Sequence, residues 1–161
     1  MTSLVHHFGL TVGDLDRSVP WYCRHLGFRE IYRGALEGEA ISEQTGLPEA
    51  KLQVALLAGG NIVLELLQYL EPHSDRTVSG PGDIGAAHVC VVVEDVARTL
   101  ETMRQAGVEL HASPAQLAPP TTMAYVRDPD GIMVEIMAPG PDLRIESLLA
   151  LSALDTPDDS A

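Results

Sequence analysis

The sequence has little cysteine, little positive charge and no long apolar run, and each shortage removes a class of protein. Two cysteines, Cys23 and Cys90, in 161 residues are too few for a disulfide framework and fit a reducing, cytoplasmic setting. Ten basic residues stand against 23 acidic ones, a formal net charge of −13. So acidic a surface repels phosphate backbones, which excludes nucleic acid as an expected partner. No apolar stretch is long enough to span a membrane, and no basic amphipathic segment suggests docking on one. The start, Met-Thr-Ser-Leu-Val-His-His, has no basic region leading into an apolar one, so no secretory signal is expected. Missing too are a Gly-rich phosphate loop, a paired-Cys motif and a Ser-centred nucleophile elbow.

What is present is a chain 45% hydrophobic, ample for a buried interior, and a sequence that repeats itself. His7-Phe-Gly-Leu-Thr-Val-Gly-Asp14-Leu-Asp-Arg17-Ser18 matches His88-Val-Cys-Val-Val-Val-Glu-Asp95-Val-Ala-Arg98-Thr99 at a constant offset of 81. The apolar positions Leu15, Val19 and Tyr22 fall on Val96, Leu100 and Met103. A second match sets Asn61-Ile-Val-Leu-Glu65-Leu-Leu beside Gly131-Ile-Met-Val-Glu135-Ile-Met. Chance supplies one such match readily; both histidines and both glutamates in register are much harder to obtain. A duplicated module follows, 4–72 and 85–139, with a linker at 73–84 and a tail at 140–161.

Each module reads as strand, helix, then strands. Segments 4–12 and 86–93 are short and apolar, as strands are. Asp14 and Asp95 stand where they can cap the next helix, and Gly27 and Gly107 where they can stop it. Pro20 is tolerable only in a first turn, which predicts a helix starting near 16. A strand at 28–33 precedes a Gly- and Glu-rich loop at 34–50. Strands 51–58 and 61–69 form a hairpin through Ala58-Gly59-Gly60. In the second module a loop at 112–120 precedes strands 121–127 and 132–138, joined by Asp128-Pro-Asp-Gly131 in a type I turn. The tail carries an amphipathic stretch from Leu143 to Leu154 and ends in Thr-Pro-Asp-Asp-Ser-Ala, for which disorder is expected.

Alternation along the strands places His7 with Gly9 and Thr11, His88 with Cys90 and Val92, Glu65 with Val63 and Leu67, and Glu135 with Met133 and Met137. Both faces of the two Glu-bearing strands are apolar, so neither carboxylate is explained as the wet side of a strand. Burying an unpaired carboxylate costs several kcal/mol or forces its protonation. A shared cation removes that penalty. Two imidazoles and two carboxylates suit Zn, Ni, Co, Mn or Fe and leave positions for water or substrate. His7, Glu65, His88 and Glu135 are therefore the expected ligands of one divalent metal ion. His6 has the opposite parity and is expected to point away; His25 is assigned to a helix end that favours its charge. His73 and His111 have no repeat partner. Cys90 shares the parity of His88 and is expected to line the site as a small apolar residue.

These motifs, together with Trp21-Tyr22 and Leu26-Gly27-Phe28, resemble those of the vicinal oxygen chelate superfamily, which includes glyoxalase I, methylmalonyl-CoA epimerase, extradiol dioxygenases and the fosfomycin and bleomycin resistance proteins. The resemblance spans about residues 4–139. It implies an α+β fold of two paired βαβββ modules whose curved mixed sheets form a cup around a metal, commonly in a homodimer. It also implies a small-molecule substrate whose vicinal oxygens chelate the cation while a base removes the adjacent proton. The His, Glu, His, Glu order resembles bacterial glyoxalase I, in which a ligand Glu moves the proton, assigning catalysis to Glu65 or Glu135. The stretch Glu65-Leu-Leu-Gln-Tyr-Leu-Glu-Pro-His-Ser looks more like the epimerase branch. Two alternatives stand beside this lyase or isomerase reading. One is an Fe(II)-dependent extradiol-type dioxygenase using His7, His88 and Glu135; the other is a metal-free protein that sequesters a drug or a biosynthetic intermediate.

Overall fold

The computed structural model describes residues 4–74, 76, 80–116 and 120–152, with side chains as far as 150. The chain divides into two units, Met1–Ala86 with Asp128–Ile132, and Ala87–Arg127 with Met133–Ala161. None of its described helices is long and apolar enough to cross a membrane.

The first unit runs β1 (Phe8–Thr11), α1 (Leu15–Leu26), β2 (Arg29–Glu37), α2 (Glu39–Thr45), β3 (Lys51–Gly59) and β4 (Ile62–Glu71). Its sheet has the order β1-β4-β3-β2, with β1 parallel to β4 and the other pairs antiparallel. Alternation decides what is buried. Leu10 and Val12 on one side of β1, with Leu64 and Leu66 on β4, enter the core together with Leu15, Val19 and Tyr22 of α1. Complete burial of each large aliphatic side chain contributes about 1.5–3 kcal/mol. The Asp14 carboxylate caps α1 by accepting from the Asp16 N–H at 2.8 Å, and Gly27 ends it at a φ of 73°, which a side chain rarely adopts.

The second unit repeats the plan: β5 (Val89–Val92), α3 (Val96–Gln105), β6 (Ala115–Gln116), β7 (Thr122–Arg127) and β8 (Met133–Ala138), in sheet order β5-β8-β7-β6. The β5–β8 pair is parallel, as β1–β4 is. Asp95 caps α3 through the Arg98 N–H at 3.0 Å, and Val96, Leu100 and Met103 are buried at the positions matching Leu15, Val19 and Tyr22. Both sheets are mixed and open. The α+β architecture of two βαβββ modules is present in the connectivity of each unit. A short helix, α4 (Ile145–Ser152), follows the second unit's last strand after a single 3-10 turn at Pro141–Leu143.

Several local expectations need correction. The helix begins at Leu15, one residue early, because Asp14 is its cap; Pro20 then lies past the first turn, inside the helix. There it removes one N–H from the ladder, and the buried stripe of Leu15, Val19 and Tyr22 holds the helix regardless. The segment 34–50 is no loop: β2 continues to Glu37 and α2 follows, bounded by Gly38 and Gly46, both at positive φ. The expected loop 112–120 contains the two-residue strand β6. Strands 4–12 and 86–93 are shorter than expected, so His7 and His88 sit one residue before β1 and β5. Of the linker expected at 73–84, residues 75 and 77–79 lie outside the described residues, as does the disorder expected for 156–161.

Candidate functional site

The parallel pairs β1–β4 and β5–β8 bring each histidine to its glutamate. Gly9 is the Cα partner of Glu65, and Cys90 that of Glu135. A residue two positions before Gly9 or Cys90 faces the same side, which places His7 beside Glu65 and His88 beside Glu135. The contacts follow: His7 Nε2 lies 3.2 Å from Glu65 Oε2, and His88 Nε2 lies 3.0 Å from Glu135 Oε2.

These separations bear on metal binding. Donors about 2.0–2.2 Å from a cation lie about 3.0 Å apart at a right angle and about 3.4 Å apart at a tetrahedral angle. Both pairs fall in that interval, with an imidazole nitrogen and a carboxylate oxygen turned to each other. The residues fit a divalent cation. Among the described residues no three His, Cys, Asp or Glu side chains group for an ion, so each pair by itself offers two donors.

The structure also supplies neighbours that parity alone does not reveal. His6, expected to point away, packs its ring edge-on against His7, centroids 5.1 Å apart, with the two Nδ1 atoms 2.8 Å apart. His6 is exposed and precedes β1, and it packs on its neighbour as a surface residue. One of those nitrogens carries the proton that the other accepts, which ties the orientation of the His7 ring to His6. In the second unit, Tyr125 on β7 is the Cα partner of Glu135 and lies edge-on to His88, centroids 5.3 Å apart. Burial raises the Tyr125 hydroxyl pKa above its ordinary value, and the Glu135 carboxylate raises it further by charge and by accepting its hydrogen bond.

Cys90 behaves as expected of a residue that is no nucleophile. The residue is exposed along the strand, yet burial around its sulfur and the facing Glu135 carboxylate push the thiol up to about 11, so it stays protonated near neutrality. His25 lies in the last turn of α1, as expected, and burial, then the neighbouring Arg24, lower its pKa. His111 Nδ1 accepts from the Arg127 guanidinium at 3.2 Å, and its backbone N–H donates to the Tyr125 carbonyl at 2.9 Å. His73 follows β4 and belongs to no strand.

The turn 128–132 belongs to the first unit and is tied to α1. Tyr22, fully buried, donates its hydroxyl to Asp128 Oδ2 at 3.1 Å, while Asp128 Oδ1 accepts from the N–H groups of Asp130 and Ile132 at 2.9 and 2.8 Å. Asp130 accepts from the Gly13 N–H at 3.0 Å and the Ser18 hydroxyl at 3.2 Å and pairs with Arg17. Sequence reading saw only a turn there.

Residues 4–136 match the Glyoxalase/Bleomycin resistance protein/Dioxygenase superfamily. A probable lactoylglutathione lyase from Synechocystis is 28% identical over 136 residues, 81% of this chain and 92% of that protein. A 2-epi-5-epi-valiolone epimerase from Actinomyces is 30% identical over 115 residues, 68% of this chain and 63% of that one. The crystal structure of a glyoxalase family protein from Bacillus cereus superposes with a TM-score of 0.71 at 22% identity, covering 85% of this chain and 95% of that one, a likeness of fold. The chain belongs to the glyoxalase/bleomycin resistance protein/dioxygenase superfamily.

Proposed function

We propose that the protein is a divalent-metal-dependent lyase or isomerase that moves a proton on the carbon next to a chelated carbonyl. His7, Glu65, His88 and Glu135 together hold the ion, as two donor pairs completed within one chain or across a homodimer. A cation bound there supplies Lewis-acid polarisation of the substrate's vicinal oxygens. The observation that carries this reading is the recurrence of one imidazole–carboxylate pair, at 3.2 and 3.0 Å, in both modules.

Within this reading the chain's own groups divide the work. To hold the ion, His7 would present an unprotonated Nε2 and donate its Nδ1–H to His6, whose Nδ1 lies 2.8 Å away. Glu65 or Glu135 takes the substrate proton and returns it. Val63 and Leu67 flank Glu65 on its face of β4, and Met133 and Met137 flank Glu135 on β8. These apolar neighbours keep water from competing for the proton and strengthen the charge interactions around it. Lyase and epimerase names among the relatives support proton-transfer chemistry of this kind. The oxygenase alternative leaves Glu65 without a role, although its spacing to His7 nearly equals that of Glu135 to His88.

The test is turnover by metal-loaded protein of three substrates: the methylglyoxal–glutathione hemithioacetal, methylmalonyl-CoA and catechol. Turnover of either of the first two, abolished with metal binding in Glu135→Gln, is expected. Full metal occupancy and full turnover in that variant would overturn the proposal, and oxygen-consuming cleavage of catechol would replace it with the oxygenase reading.

A further inference from the structure

The two donor pairs descend from one repeat, yet their surroundings differ. Register across β3 and β4 sets Leu56 opposite Glu65, whereas register across β7 and β8 sets Tyr125 opposite Glu135. Side chains directly opposite on neighbouring antiparallel strands share a face and stand within contact distance. Tyr125 also meets the His88 ring edge-on. One side chain therefore adjoins both members of the second pair. Leu56 offers the first pair neither a hydroxyl nor an aromatic ring.

Burial differs in the same sense. The Glu65 side chain is 23% exposed and that of Glu135 only 9%. A carboxylate so covered has few water molecules to satisfy it and gains more from a fixed donor. An imidazole held against a ring has fewer orientations to lose when an ion arrives. Both effects lower the cost of assembling the second pair.

We infer that Tyr125 is a positioning residue that holds His88 and Glu135 in ligating arrangement before a divalent cation binds. This rests on the metal reading above and deepens it: the repeat supplies both pairs, and each has its own neighbour, His6 against His7 and Tyr125 against His88 and Glu135. The Tyr125 side chain shares the face of Glu135 and its ring meets His88, so substitution separates the contribution of the hydroxyl from that of the ring. Tyr125→Phe removes the hydroxyl and keeps the ring, and Tyr125→Leu removes both.

The experiment titrates the full, metal-free chain with Co2+ alone, in competition with a chromophoric chelator, and records the visible absorption of the bound ion. Melting of the metal-free proteins is followed in parallel. Tyr125→Phe is expected to lower Co2+ affinity about tenfold and to shift the absorption bands, with the metal-free melting temperature unchanged. Tyr125→Leu is expected to lower affinity further, toward about 100-fold. Wild-type affinity and spectrum in both variants overturn the inference while the metal reading stands. A wild-type chain that takes up no Co2+ overturns both. Loss of the metal-free fold in Tyr125→Phe makes the residue a packing element and overturns the positioning role.

Discussion

Tyr22 and Asp128, 106 residues apart in sequence, share a buried hydrogen bond of 3.1 Å in which the phenol donates and the carboxylate accepts. Burial holds the Tyr22 hydroxyl well above its ordinary pKa, with the charge of Asp128 adding to the effect, so it remains a donor at every physiological pH. Tyr22→Phe leaves that carboxylate oxygen without its phenolic donor. The expected cost is about 1–3 kcal/mol of unfolding free energy. Urea denaturation monitored at fixed pH measures it, and a loss below about 0.5 kcal/mol would mean that the bond adds nothing net.

Asp128 gives this network a pH dependence whose sign is fixed. Burial raises its pKa above 3.8, the N–H groups of Ile132 and Asp130 and the Tyr22 hydroxyl pull it back, and the charge of Asp130 raises it further. With the folded value above the unfolded one, the native state keeps a proton that the unfolded chain has released. Its stabilising contribution is full below 3.8 and is lost as pH rises through the folded value. Relative to Asp128→Asn, which cannot titrate, the wild type should lose stability across that window. Denaturation curves of the two proteins that stay parallel over the same pH range would contradict this.

His6 is expected to matter to metal affinity although it is no ligand. Removing it in His6→Ala takes away the partner of His7 Nδ1 and lets the ring turn, which should weaken divalent-metal binding about tenfold. Competition titration reads the change, and unchanged affinity would show that the 2.8 Å contact does not orient His7.

Glu65 separates the two metal-dependent readings. In the four-ligand centre, Glu65→Gln replaces a charged donor with a neutral one and should cost more than the roughly 100-fold loss typical of removing an outer partner. In the oxygenase alternative the same change leaves the ion bound by His7, His88 and Glu135. Metal content after dialysis of the variant decides between them.

The legible part of this protein was what repetition and strand parity carry. Two His and two Glu in constant register were enough to single out these four residues; that each histidine meets the glutamate of its own module comes from the parallel β1–β4 and β5–β8 pairing, which the sequence did not specify. The helix caps Asp14 and Asp95 were legible for a local reason: a carboxylate before an apolar stripe has a nearby N–H to accept from. Helix α2 was hidden because it has no fully buried residue and hence no apolar period to detect. Tyr125 was hidden because its partner Glu135 is set by cross-strand register, which depends on the Asp128–Gly131 turn rather than on any local motif.

The most direct measurement is the metal content of the full chain purified without chelators, determined by elemental analysis beside protein concentration. One divalent ion per chain is predicted, falling to near zero in Glu135→Gln. A wild-type chain carrying almost no metal, and taking up none when Zn, Ni, Co, Mn or Fe is supplied, would contradict the account.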